Sequence, residues 1–192
     1  MSSPDLSRTC EFNRNLLEFA RAVARRKLGD AACQPRSLPS ECKDRYGGVF
    51  VTFWDGSTLR GCVGTFKPTT DLAGALPEVV HAALADPRFA AHPITATELP
   101  ALNIEISLLS ELTPACDAVR ELVPGVHGIV VRQGDRSGCF LPAVASQRGW
   151  SAKEFLSNCC TMKAGLPGDA WRLPDATVHL FTSEVLSESE FV

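Results

Sequence analysis

The chain has 192 residues with a formal net charge of -3, a pI near 5.8 and a mean hydropathy close to zero. That length suits one domain, or one domain with a smaller lobe, and folding at this size removes roughly 70% of the unfolded surface from water, so a core needs no disulfide or metal staple. The slight acidity gives no general attraction for phosphate backbones or acidic bilayers, which argues against nucleic acid and membrane as partners.

The opening MSSPDLSRTC has no apolar stretch after its charges, and no run of apolar residues reaches transmembrane length. Neither a signal peptide nor a membrane span is expected, the location is expected to be cytoplasmic, and the eight cysteines are expected to be reduced thiols. No C-x-x-C pair and no His-x-x-x-His is present, so no structural zinc site is written locally, and no metal or cofactor is called for.

Residues 1–9 read as a disordered tail, and the first helix is expected near Glu11–Leu28. There Phe12, Leu16, Ala20, Val23 and Ala24 recur at helical spacing before Gly29. Its Arg21, Arg25, Arg26 and Lys27 read as a solvated basic face near the helix C-terminus. Residues 30–46 read as a loop, and GGVFVTFW then reads as a strand. Asp55-Gly56 marks a tight turn, so LRGCVGTF becomes the returning strand of a hairpin.

A helix follows over Asp71–Ala85, with Pro77 kinking it or starting its main part and Asp86-Pro87 ending it. In the strand LNIEISLL, Leu102, Ile104, Ile106 and Leu108 share one face, and Asn103, Glu105 and Ser107 the other. A short helix near Asp117–Leu122 precedes a second hairpin, GIVVRQGDRSGCFLP. Ser151 and Glu154 have the spacing of a capping box, with Trp150 packing on Phe155, and that helix is expected to end near Lys163 before Gly165. Cys159 and Cys160 read as helical neighbours, one buried and one partly exposed, and a last strand covers Thr177–Val185. Helices interleaved with antiparallel hairpins indicate an α+β fold.

The chemistry centres on Cys62. Alternate residues of a strand share a face, so Arg60 and Cys62 would lie about 7 Å apart, and a guanidinium at that range favours a thiolate. Gly64 would leave space beside the sulfur for a ligand, and Gly61 would let the backbone bend or approach closely. The alternative is a bulge with a buried, inert cysteine. Arg88, in DPRF, reads either as an anion-binding group or as the partner of Asp86. Sequences of the P-loop, dinucleotide-binding and serine-hydrolase type are absent.

The succession GGVFVTF, LRGCVGTF, DPRF, LNIEISLLS, GVHGI, GWSAKEFL and KAGL resembles the AMMECR domain family, also called AmmeMemoRadiSam system protein A, over residues 10–192. The resemblance implies antiparallel sheets flanked by helices, with a larger lobe holding both termini, a smaller lobe and a cleft between them. It also implies association with Memo-like and radical-SAM proteins, and it supplies no established reaction. In that context Cys62, His127 and Glu105 become candidates for a nucleophile, a base and an orienting carboxylate, with Arg60, Gly61, Gly64 and Arg88 around the ligand. The expected activity is on a small molecule or a modified side chain, and the expected ligand is a small molecule or a peptide. The alternatives are a non-catalytic interaction module, and a metal site using Cys62 and His127.

Overall fold

The computed structural model describes residues 6–38, 46–66 and 71–191, and the chain within them divides into two compact units. The first contains the residues up to Leu108 together with those from Glu184, and the second contains Leu109–Ser183.

Helix α1 (Leu6–Lys27) begins within the stretch expected to be a tail, whose first five residues lie outside the described ones. It buries Leu16, Ala20, Val23 and Ala24 of the predicted stripe together with Leu17, while Phe12 is half-buried against the same core, and Gly29 follows it at φ 108. The basic face is not simply solvated. Arg21 donates to the Leu99 and Leu102 carbonyls, each at 2.6 Å, and pairs with Glu188, while Arg25 pairs with Asp30 at 2.6 Å.

Strands β1 (Gly48–Asp55) and β2 (Thr58–Phe66) form the expected hairpin, with Gly56 at φ 55 in the turn. Val49, Val51 and Phe53 point from β1 into the core, where α2 (Leu72–Leu84) packs against them. Gly61 lets this helix approach, because a Cβ there would stand 2.2 Å from the Ala83 carbonyl oxygen. Helix α2 starts at Leu72, capped by Asp71, and runs through Pro77; the proline neither starts it nor stops it. Asp86 and Pro87 end it as expected.

Strand β3 (Asn103–Leu109) buries Ile104, Ile106 and Leu108, with Leu102 buried just before it, as the alternation predicts, but Ser107 is buried too. With β8 (Ser183–Ser187) it completes an antiparallel sheet of order β2-β1-β3-β8, which leaves β2 on an edge.

The second unit holds the sheet β4-β7-β5-β6, made of β4 (Thr113–Pro114), β5 (Gly128–Gln133), β6 (Arg136–Phe140) and β7 (Ala176–Phe181). Helix α3 spans Ala118–Glu121 and α4 Pro142–Arg148. Helix α5 (Ala152–Cys159) carries the capping box between Ser151 and Glu154, and it passes into a π-helical turn over Cys160–Ala164 before Gly165 at φ 63. Its Phe155 stacks on Phe140 at 5.5 Å and meets Trp150 at 6.4 Å.

Two expectations are corrected here. The stretch Thr177–Val185 is not one strand: β7 and β8 belong to different sheets, divided at Thr182, whose carbonyl accepts from the Ser110 N–H at 3.0 Å and whose N–H donates to the Ser110 hydroxyl at 2.9 Å. Cys159 and Cys160 are both fully buried, and burial pushes the Cys159 thiol up to about 12, with Cys139 and Cys160 adding to the effect.

Gly61→Ala is expected to destabilise the fold by about 3 kcal/mol, because the new methyl meets backbone that cannot move aside cheaply. Urea denaturation checks this, and a loss below about 1 kcal/mol would contradict close packing at this point.

Candidate functional site

Cys62 lies near the middle of edge strand β2 and pairs with Thr52 across the hairpin. Its N–H points away from β1 and donates to Asp86 Oδ2 at 3.0 Å, while its carbonyl accepts from Arg88 Nη2 at 2.8 Å. Thr52 and Cys62 are therefore a pair without ladder bonds between them, the arrangement in which opposed side chains come closest. The Thr52 hydroxyl donates to Cys62 Sγ at 3.2 Å. The sulfur is half-buried, and it lies on the sheet face opposite the one that α2 covers.

Asp86 and Arg88 flank Pro87 in a single 3-10 turn, where the Asp86 side chain caps the turn through the Arg88 N–H. The Arg88 guanidinium grips the same carboxylate with Nε at 3.0 and 3.1 Å and with Nη2 at 2.5 Å. The Asp86 side chain is 3% exposed and that of Arg88 53%. Arg88 beside it holds the Asp86 carboxyl down to about 2, helped by the Cys62 and Arg88 N–H groups and opposed by burial. Arg88 is raised in turn, chiefly by Asp86, with the Cys62 thiol contributing.

The cation beside the thiol thus comes from DPRF and not from Arg60. Phe53 pairs with Gly61 and Trp54 with Leu59, so Arg60 is the extra residue of a β-bulge, and the alternation expected to align it with Cys62 is interrupted at Arg60 itself. Its guanidinium is committed to Glu98, at 2.5 and 3.1 Å, and to the His92 carbonyl at 3.2 Å. The space expected over Gly64 is filled as well. A Cβ at Gly64 would fall 2.1 Å from the Phe50 ring, which lies across the strand over the glycine.

Glu105, on β3, is half-buried and bonded to Trp54 of β1. Burial pushes its carboxyl above the usual carboxylate range, against the Trp54 hydrogen bond, and Glu190 adds to the rise. With β1 between them, the backbones of Glu105 and Cys62 are two strand spacings apart, roughly 10 Å or more.

His127 belongs to the second unit, where it closes the turn before β5. Its N–H donates to the Val123 carbonyl at 2.9 Å, and its Nδ1 accepts from the Val123 N–H at 3.1 Å. An imidazole whose Nδ1 accepts carries its proton on Nε2, so in this arrangement the free ring nitrogen is a donor and not a base.

The Asp86–Arg88 pair is the one expected of DPRF as an alternative to anion binding, while its bonds to the Cys62 backbone are not written in that motif. Two further groups carry no signal in the sequence: Thr52 is one polar residue in an apolar strand, and Glu98, the partner of Arg60, lies in a loop with no motif.

The Asp86 carboxyl has its folded-state value below its usual 3.8, so the stability it contributes is present above about pH 4 and is lost as pH falls toward 2. The contribution is on the order of 2 kcal/mol. Urea unfolding between pH 7 and pH 2 should show this slope, and Asp86→Asn should flatten it; equal slopes in the two proteins would contradict the assignment.

Comparison with known proteins adds the family. The AMMECR1 family model matches residues 17–186. A protein of Methanothermobacter thermautotrophicus is 39% identical over 160 residues, covering 80% of this chain and 81% of its own length. Protein MK0488 of Methanopyrus kandleri is 40% identical, covering 74% of this chain and 72% of its own. The crystal structure of the uncharacterized protein PH0010 from Pyrococcus horikoshii superposes with a TM-score of 0.81 at 32% identity, covering 91% of this chain and 90% of that one. With the family model spanning both compact units and a solved relative sharing the fold, this chain belongs to the AMMECR1 family.

Proposed function

We propose that this protein acts on a small molecule or a modified side chain, with the Cys62 thiol as the reacting or ligating group and Arg88 steadying negative charge beside it. The observation that carries this reading is a half-buried cysteine whose sulfur accepts from the Thr52 hydroxyl and has the Arg88 guanidinium at hand. A cation next to sulfur favours charge developing there, and the half-exposed Arg88 guanidinium can also meet an acceptor on a substrate. In this reading Arg60, Gly61 and Gly64 build the strand that presents the thiol, while Glu105 belongs to β3 and His127 to the second unit. A cytoplasmic setting suits these cysteines, which are thiols among the described residues. Memo-like and radical-SAM proteins are the companions we propose for it.

A second reading, an interaction module, has its own support. Gly61 and Gly64 each have a packing reason, and Arg60 and Arg88 each have a carboxylate partner, so the motif accounts for itself structurally. Metal binding through Cys62 and His127 has less support: among the described residues no three His, Cys, Asp or Glu side chains gather as ligands.

Competitive alkylation with iodoacetamide, read by mass spectrometry, separates the first two readings, with the exposed Cys10 and Cys116 as internal standards. Cys62 should react faster than both, and Arg88→Gln should slow it. A Cys62 slower than the standards, or indifferent to Arg88, would sink the reactive-thiol reading and favour the interaction module.

A further inference from the structure

The ion pair beside Cys62 is buried unevenly. The Asp86 side chain is 3% exposed and is enclosed by its own contacts, accepting from Nε and Nη2 of Arg88 and from the Cys62 and Arg88 N–H groups. The Arg88 side chain is 53% exposed, so a molecule arriving from solvent meets the cation of the pair and not the anion. That cation is also held in place. Its Nη2 donates to Asp86 at 2.5 Å and to the Cys62 carbonyl at 2.8 Å, and the guanidinium carbon stands 5.7 Å from the centre of the Phe89 ring.

The other neighbours of the sulfur are of a different kind. On the inner side of β2, the Thr52 hydroxyl donates to Sγ and the Phe50 ring covers Gly64, one residue pair along. Arg60, the second cation of the motif, is bound by Glu98 and its side chain is only 17% exposed. A molecule whose carbon meets the sulfur therefore finds a positive group at one place, beyond the outer edge of β2. A planar guanidinium fork matches a carboxylate, and a hydrogen bond to a charged oxygen is about twice as strong as one to a neutral amide. We propose that the substrate at Cys62 is a small carboxylic acid whose carboxylate lies next to the reacting carbon and is held by the exposed side of the Arg88 guanidinium, a proposal that rests on the reactive-thiol reading and gives it a substrate class.

Iodoacetate and iodoacetamide test this on the whole native protein. Each forms the same S–C bond, with loss of iodide and of the thiol proton to solvent, and they differ in carrying a carboxylate or an amide. Mass spectrometry gives the ratio of the two rates at Cys62, which is then divided by the same ratio for Cys62 in the urea-unfolded protein. Both reagents attack one thiolate, so the result is independent of how much thiolate is present. The native site should favour iodoacetate by about fivefold, the upper range for a partly exposed ion pair, and the preference should vanish in Arg88→Gln. The fully buried Cys159 stays unlabelled wherever that variant is folded. A second measurement needs no variant: at matched ionic strength, propionate should protect Cys62 of the native protein from iodoacetamide, and propionamide should not. A Cys62 that outpaces the exposed Cys10 and Cys116 but shows no preference for iodoacetate, a preference that persists in folded Arg88→Gln, or equal protection by propionamide would overturn the proposal and leave the reactive thiol standing. A Cys62 slower than those two cysteines would remove both.

Discussion

The environment of Cys62 depends on one ion pair that closes the edge of a sheet. Strand β2 is an edge strand, and the outward N–H and C=O of Cys62 would otherwise be offered to solvent or to another chain. Asp86 accepts the one and Arg88 donates to the other, while the two bind each other. Two side chains from a turn of three residues thus stand in for a neighbouring strand. The same turn ends α2, and the Ala83 carbonyl of α2 lies against Gly61, so helix end, ion pair and edge strand hold one another in place.

This closure decides what surrounds the sulfur. Fixing the Cys62 backbone outward leaves its side chain opposite Thr52 in the closer kind of cross-strand pair, which sets the contact between hydroxyl and thiol. The cation that joins them is largely neutralised by Asp86, and it is half-exposed, so its influence on charge at sulfur is local and screened. Arg60, one residue from the motif glycine, serves instead to tie the bulge to Glu98. Glu105 meets Trp54 and takes its character from burial.

What could be read in the sequence, and what could not, follows from how local each signal is. The capping box of Ser151 and Glu154 and the turn at Asp55-Gly56 are set by residues three or four apart, and both are present as read. The stripe of α1 and the alternation of β3 are periodic signals, and they too are legible. Helix α4 was missed although Pro142 stands at its first position and Gly149 follows at φ 64, a recognisable pair of boundary signals around a short apolar stretch. The expectation for Arg60 failed because a single extra residue in a strand breaks a period of two without leaving a mark in composition. Likewise Thr177–Val185 reads as one apolar run, and only the bonds between Thr182 and Ser110, 72 residues apart, divide it between two sheets. The family resemblance carried the antiparallel α+β architecture correctly, while the partner of the thiol lay in a contact spanning 26 residues that no motif spacing displays.

Amide hydrogen exchange at Cys62 tests the central interaction most directly, because among the described residues this N–H has no strand partner and is bound by Asp86. The account predicts that in the native protein the Cys62 amide is protected to a degree comparable with Val51 on the neighbouring strand. In Asp86→Ala that protection should collapse while Val51 keeps its own. A native Cys62 amide exchanging at the unprotected rate, or one as slow in Asp86→Ala as in the parent, would contradict the closure of β2 by Asp86 and Arg88.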